Sequence, residues 1–534
     1  MRLGMDGLFL RGQEGYEEAR ADRVFNRRRP DRFPDAVLVA ADAAGVAAGV
    51  KLARSRGWQV AVRAGGHSWA AWSLRDGGLL IDLQNLTTMA YEEESGIAVA
   101  GPAVRGGAEL APFLASRGRS FPGGHCPTVG IGGFLLQGGQ GWNSRSVGWA
   151  CESVAAVDVV TANGSLITAD PHQNSDLYWA ARGAGPGFPG IVTAFHLRTY
   201  AAYPFLWHDT WTFRLDDGET LLDWMHDLLP TLDRRVEPVI AATRVPYVPL
   251  DPGVEHPGGT VLLLHTTVMT SSADEAAALL SVFDDGPLAG RRLGHVRGET
   301  SLAEEGVAQE GQNPTGHRYA VDCAWTDAPA AALAPPLLRL WRELDTTHSF
   351  SIWYGWAPSR PLPDMAFSVE GNVYIATYAI YEDPADDEHY RDWVHSRTAA
   401  LPGAGVYLGD TDFTRRQDRF LSDANVDRLA RIRAKWDPDG LFASYLTADV
   451  AALNRPARAP GATAAADVAG DANRPGRTPG PADVAEGSTR PGRTPGAAAG
   501  VGRDVDVDVA EGSTRPARAQ GAAAGVAEEP NRLG

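Results

Sequence analysis

The chain has 534 residues, 44% of them hydrophobic and 22% charged, enough for two or three domains with sizeable cores. A formal net charge of −17 argues against a nucleic-acid partner, because neutralising phosphates takes a basic surface. No apolar run approaches the roughly 18 residues that span a bilayer, and Asp6, Arg11 and Glu14 interrupt the N-terminal stretch. Cys126, Cys151 and Cys323 are too scattered for a disulfide framework or a zinc site, so the expectation is a cytoplasmic protein with no metal centre and no membrane anchor.

In chain order, DAVLVAADAAGVAAGVKLARSRGWQVAVRAGG reads as a strand over 36–40, a helix through Leu52 and a strand at 60–62. The next stretch, 77–104, carries two more strands around a polar turn, and GGAELAPFLASRG reads as a helix ending at Gly118. Residues 153–170 form a hairpin on Asn163-Gly164. A helix then begins in NSDLYWAARGAG with Asn174 or Ser175 as its cap, and 191–200 alternates as a strand. Residues 206–395 differ in texture: long alternating segments (259–270, 372–383) lie between helical ones (272–283), which predicts an antiparallel sheet backed by helices. An amphipathic helix follows within 425–442, halted by Pro438 and Gly440. From about Asn454 the chain loses its aromatic residues and repeats itself: ADVAGDANRPGRTPG at 466–480 returns as ADVAEGSTRPGRTPG at 482–496. Such a segment has too little apolar surface to offset ordering, so 452–534 is expected to be a disordered tail.

Glycine-rich loops let backbone N–H groups approach a phosphate. GPGFPG at 185–190 matches the dinucleotide fingerprint literally, but a strand follows it instead of a helix and Pro186 and Pro189 remove donors, so a nicotinamide site is rejected there. Two clusters remain, RAGGHS at 63–68 and FPGGHCPTVGIGGFLLQGGQG at 121–141. Each follows a strand-forming stretch and each holds one nucleophile, His67 or Cys126, among residues without bulk.

The succession AVRAGGHSW, PGGHCPTVGIGGFLLQGGQGW, DLYWAARGAGPGFPGIVTAFHLRTY and DRLARIRAKWDPDGLF resembles the berberine bridge enzyme-like oxidoreductases, within the superfamily that has the vanillyl alcohol oxidase (PCMH) type of FAD-binding domain. The resemblance covers nearly all of residues 1–451. It implies an α+β fold: a two-subdomain PCMH-type FAD-binding domain over 1–205, a substrate domain over 206–395 and a C-terminal segment, 396–451, returning to the first. It implies FAD as cofactor, with His67 attached to the flavin 8α-methyl and Cys126 to C6. Arg63, Ala64, Gly65, Gly66 and Ser68 of the first loop, Val129, Gly130, Gly132 and Gly133 of the second, and Gly190, Ile191 and Val192 would surround it. Val129 matches a position that gates oxygen, and a small valine there implies dioxygen as acceptor. Pro189 departs from the family pattern by lacking an N–H.

The implied reaction is hydride transfer from a substrate C–H to flavin N5, assisted by a base. In NVYIATYAIYED, Tyr374, Ala376, Tyr378 and Ile380 share one face, and no carboxylate lies inside the strand, only Glu382 at its end. A tyrosine base is therefore expected, with Tyr407 and Tyr378 as candidates. Trp341, Trp353, Tyr354 and Trp356 are candidates for a pocket floor or for core. The expected substrate is a small aromatic or polycyclic secondary metabolite. A flavin-containing protein that sequesters or reoxidises a redox-active drug is the alternative.

Overall fold

The computed structural model describes residues 6–446, and the repeat-bearing tail expected at 452–534 lies outside the described residues. The helix Ala43–Arg56 begins at Asp42, whose carboxylate accepts the Gly45 N–H at 2.8 Å, and stops at Gly57 in the left-handed region. It links the strands Ala36–Val39 and Val60–Arg63, both of which pair in parallel with Leu79–Asp82, while Leu8–Leu10 closes the edge antiparallel. Gly49 lets this helix sit on the sheet, since a Cβ there would lie 2.5 Å from Leu38 Cδ2.

A five-stranded antiparallel sheet follows, in the order Met89–Glu92, Ile97–Ala100, Ile191–Arg198, Val154–Val160, Leu166–Ala169. The stretch 77–104 therefore carries three strands, not two. Met89–Glu92 alternates between half-buried and exposed positions and so lacks the apolar signal of its neighbours. The helix expected to end at Gly118 is a π-helical turn, Gly106–Leu110, leading into a short helix, Ala111–Ala115. Pro112 has no N–H to return to the preceding turn, which prevents one regular helix. The hairpin is as expected, with Gly164 at φ 76 and Asn163 Oδ1 accepting the Ser165 N–H at 2.9 Å.

The third sheet has seven antiparallel strands, in the order Gly294–Thr300, Phe205–Arg214, Val261–Thr270, Val236–Thr243, Phe350–Gly355, Val373–Tyr381, Arg318–Thr326. Period-2 alternation gives it two faces of different character, one apolar and one carrying polar and aromatic side chains. One packs Trp211, Phe213, Ile240 and Leu264 beneath the helices Gly218–Leu228, Ala273–Leu280 and Ala330–Arg342. Trp341 and Trp353, candidates for a pocket floor, lie in this helix-backed core at 0% exposure. Trp356 packs on Trp149 with ring centroids 4.9 Å apart, so of the four aromatics only Tyr354 reaches the cavity.

After the helix Asp387–Ala399 the chain runs back. The helix Asp423–Trp436 is capped by Ser422, ends before Pro438, and is fastened to the helix Ser175–Ala180 through Asp176, which accepts from Lys435 at 2.7 Å and from Trp436 at 2.9 Å. Leu441 and Ala443 then hydrogen-bond to both sides of Val60, which adds the chain to the edge of the first sheet. No helix among the described residues is long and apolar enough to cross a membrane.

Candidate functional site

The free face of the seven-stranded sheet and the loops of the N-terminal half enclose one cavity of about 670 Å³. Its loop wall is largely backbone. Gly65 and Gly130 touch: a Cβ on Gly65 would lie 2.6 Å from Gly130 N, and one on Gly130 would lie 2.9 Å from Gly65 Cα. Gly66 sits at φ 77 with no room for a Cβ beside the Arg23 carbonyl, so glycine is required by both conformation and space. A Cβ on Gly132 would meet Pro102 Cβ at 2.8 Å and Ala64 Cβ at 2.9 Å, whereas one on Gly133 would meet nothing within 4 Å and would enter the cavity.

Every predicted cofactor residue lines this cavity: Arg63 to Ser68 with His67, Cys126, Val129, Gly130, Gly132, Gly133, and Gly190 to Val192. The Arg63 side chain is committed elsewhere. It lies at 2% exposure and donates Nε to Asp82 Oδ2 at 2.8 Å, so only its backbone belongs to the loop. Phe25 stacks on His67 at 4.5 Å, and the imidazole hydrogen-bonds to the Thr128 backbone across the two loops. Burial drives His67 down to about 4, so the ring is neutral at physiological pH. Burial pushes the Cys126 thiol up to about 12, with Asp410 and Glu310 adding to the effect. Cys151 and Cys323 are in the core.

Both predicted tyrosines are present on the other wall, together with a carboxylate that the strand pattern did not reveal. Asp410 accepts Tyr374 Oη at 2.6 Å and Tyr378 Oη at 3.0 Å on Oδ2, and Trp69 Nε1 at 2.8 Å on Oδ1. Burial raises its pKa while these donors oppose the rise. Burial and the adjacent Asp410 hold Tyr374 and Tyr378 well above the usual phenol range. Trp69, two residues past His67, packs edge-on to Tyr378 at 5.7 Å, so the loop and the acid–tyrosine cluster adjoin. Tyr407 is arranged differently: its oxygen accepts the Gly139 N–H at 3.2 Å, and burial, with Asp410, raises its pKa. Glu237 is a second missed carboxylate. It lines the cavity, accepts from Asn143 N at 2.6 Å and Tyr354 Oη at 3.0 Å, and burial raises its pKa.

Residues 34–170 match the family described as FAD binding domain, and residues 407–445 match the one described as berberine and berberine like. The FAD-linked oxidoreductase janO of Penicillium janthinellum is 34% identical over 441 residues, covering 81% of this chain and 95% of that protein. The chain belongs to the berberine-like FAD-linked oxidoreductases. A second relative, the xylooligosaccharide oxidase of Thermothelomyces thermophilus, is 30% identical over 459 residues, covering 78% of this chain and 87% of its own. The fold is shared with 6-hydroxy-D-nicotine oxidase from Arthrobacter nicotinovorans, at TM-score 0.70 and 20% identity over 83% of this chain and 98% of that one. This oxidoreductase therefore uses FAD. The cavity fits FAD: two loops whose backbones could not meet if side chains intervened, an opening at Gly133, and a neutral imidazole and a thiol facing the same space.

Proposed function

We propose that this oxidoreductase is an oxidase with flavin attached through both His67 and Cys126, acting on an alcohol, amine or C–H of an aromatic or polycyclic metabolite. Bound flavin supplies the two-electron acceptor. The observation that carries the reading is the adjacency of the two nucleophile-bearing loops to the Asp410 cluster, bridged by Trp69. His67 is neutral and so ready to form its bond, whereas burial, with Asp410 and Glu310, holds the proton on Cys126, which the thiol must lose before it can attach.

The substrate proton goes to the tyrosine–aspartate cluster. Tyr378 accepts it at Oη while passing its own along the 3.0 Å bond to Asp410, whose raised pKa suits it to hold a proton. Tyr407, its oxygen held by the Gly139 N–H, orients the reacting hydroxyl or amine. Val129, small and on the cavity wall, supports dioxygen as the electron acceptor. The test is an anaerobic screen of aromatic alcohols, amines and polycyclic compounds against simple sugars, followed by oxygen uptake. Bleaching by the aromatic set with stoichiometric product supports the oxidase. Bleaching by sugars alone overturns the substrate class, and tight binding without turnover points to sequestration.

A further inference from the structure

The strand register lays a straight row of side chains across the cavity floor. Tyr374 pairs with Tyr354, Tyr354 with Val239, Val239 with His265 and His265 with Thr210, and all five line the cavity. With neighbouring strands roughly 4.8 Å apart, four steps carry the row about 19 Å. Tyr374 at one end is bonded to Asp410. The middle is mixed: Val239, Ala241, Leu263 and Ile352 are apolar, while Glu237 and Thr267 lie beside Val239 on the same wall, the carboxylate already accepting from Asn143 N and Tyr354 Oη.

The far end is a second polar cluster, separate from the first, in which the carboxylate is buried and the two histidines are half-buried. Glu305, on the helix Leu302–Gln312, is 4% exposed. Its Oε1 accepts His208 Nδ1 at 2.9 Å and Thr300 Oγ1 at 2.9 Å, and its Oε2 lies 3.4 Å from His265 Nε2. Burial works against its charge, but the hydrogen bonds from His208 and His265 prevail and hold the carboxyl well below the usual range. His265 is fully engaged, since its Nδ1 meets Thr210 Oγ1 at 2.8 Å. His208 is not. Its Nδ1–H donates to Glu305, which together with Asp209 and Glu304 raises its pKa and favours the imidazolium, so its Nε2 is an N–H donor with no hydrogen-bond partner among the described residues, on a side chain that lines the cavity.

The chemistry of this end selects its ligand. No lysine or arginine lines it, and Glu304 and Glu305 do, which disfavours a carboxylate or phosphate. Glu305 already takes three donors, which leaves it little to offer a cation. A neutral group that can accept from Nε2–H remains. We infer that His208 is a specificity-determining residue that donates a hydrogen bond to a hydroxyl, and that the cavity takes an elongated substrate oxidised at one end and hydroxylated at the other. The inference rests on the oxidoreductase reading above and adds the substrate's length and its distal group.

The flavin-loaded, full-length protein tests this with two probes: a benzyl alcohol with a para eight-carbon chain ending in a hydroxyl, and its methyl-ended counterpart. Anaerobic titration reads binding from the shift in flavin absorbance and oxidation from its bleaching. Wild type is expected to prefer the hydroxyl-ended probe at least tenfold, because a polar group left without its partner is penalised. His208→Phe should reduce that preference below about twofold, and His208→Gln, whose amide N–H can still donate, should restore part of it. Glu305→Gln, which keeps the shape but removes the charge that orients His208, is the second variant should His208→Phe fail to fold. Equal or absent binding of the two probes by wild type, or a preference that survives both His208→Phe and Glu305→Gln, overturns the subsite. Preferential binding with no bleaching by either probe leaves the subsite standing and overturns the oxidation reading instead.

Discussion

The two walls of the cavity are built from different materials. On the loop side, around His67 and Cys126, the wall is backbone brought close by Gly65, Gly66, Gly130 and Gly132. On the sheet side it is side chain: Tyr374, Tyr378, Tyr354, Glu237, His265 and His208, each placed by strand register. A wall of backbone is stiff and indifferent to the substrate, which suits a permanently held cofactor. A wall of side chains can change identity without moving the chain, which suits specificity.

The largest expected effect lies on the sheet wall. Asp410→Asn keeps the size but removes the proton acceptor that Tyr378 and Tyr374 share, and should slow anaerobic flavin reduction by about a hundredfold with the cofactor retained. Tyr378→Phe and Tyr407→Phe should each slow it at least tenfold without bleaching the cofactor; a variant with unchanged reduction removes that tyrosine from the mechanism. On the loop wall Gly65→Ala should act on structure instead. It forces backbone apart, costs about 1–3 kcal/mol and lowers the flavin content of purified protein, while the fraction still loaded reduces at the wild-type rate. A fall in rate per bound flavin would break the division between the walls.

A smaller effect concerns acid stability. Burial takes His125 from its ordinary value near 6.5 down to about 4. The unfolded chain therefore binds a proton in that window while the folded one does not, so stability rises with pH across it and is lost as pH falls from 6.5 towards 4. The loss is at most about 3 kcal/mol for such a shift. His125→Phe should make the fall in melting temperature between these pH values shallower, the remainder coming from His67, which burial also takes down to about 4, and an unchanged slope would assign the acid sensitivity to other groups.

The same division governs what the sequence reveals. Gly65, Gly66, Gly130 and Gly132 announce a backbone site because glycine beside His67 and Cys126 has few other uses, and all line the cavity. Alternation in Val373–Tyr381 correctly put Tyr374 and Tyr378 on one face. It could not say which face of the neighbouring Phe350–Gly355 strand meets the cavity, so Trp353 and Tyr354 were equal candidates although they point oppositely. Asp410 escaped because it lies outside the strand, three residues past Tyr407, and reaches the tyrosines only through the fold. His208, His265 and Glu305 come from two strands and a helix, a grouping that exists only once the register is set.

The most direct measurement of the central claim is acid precipitation of the purified protein, with polypeptide mass, for wild type, His67→Ala, Cys126→Ala and the double variant. A yellow pellet carrying one FAD mass is expected in wild type and in each single variant, and a colourless pellet in the double. A colourless wild-type pellet, or colour that survives the double substitution, would contradict that claim.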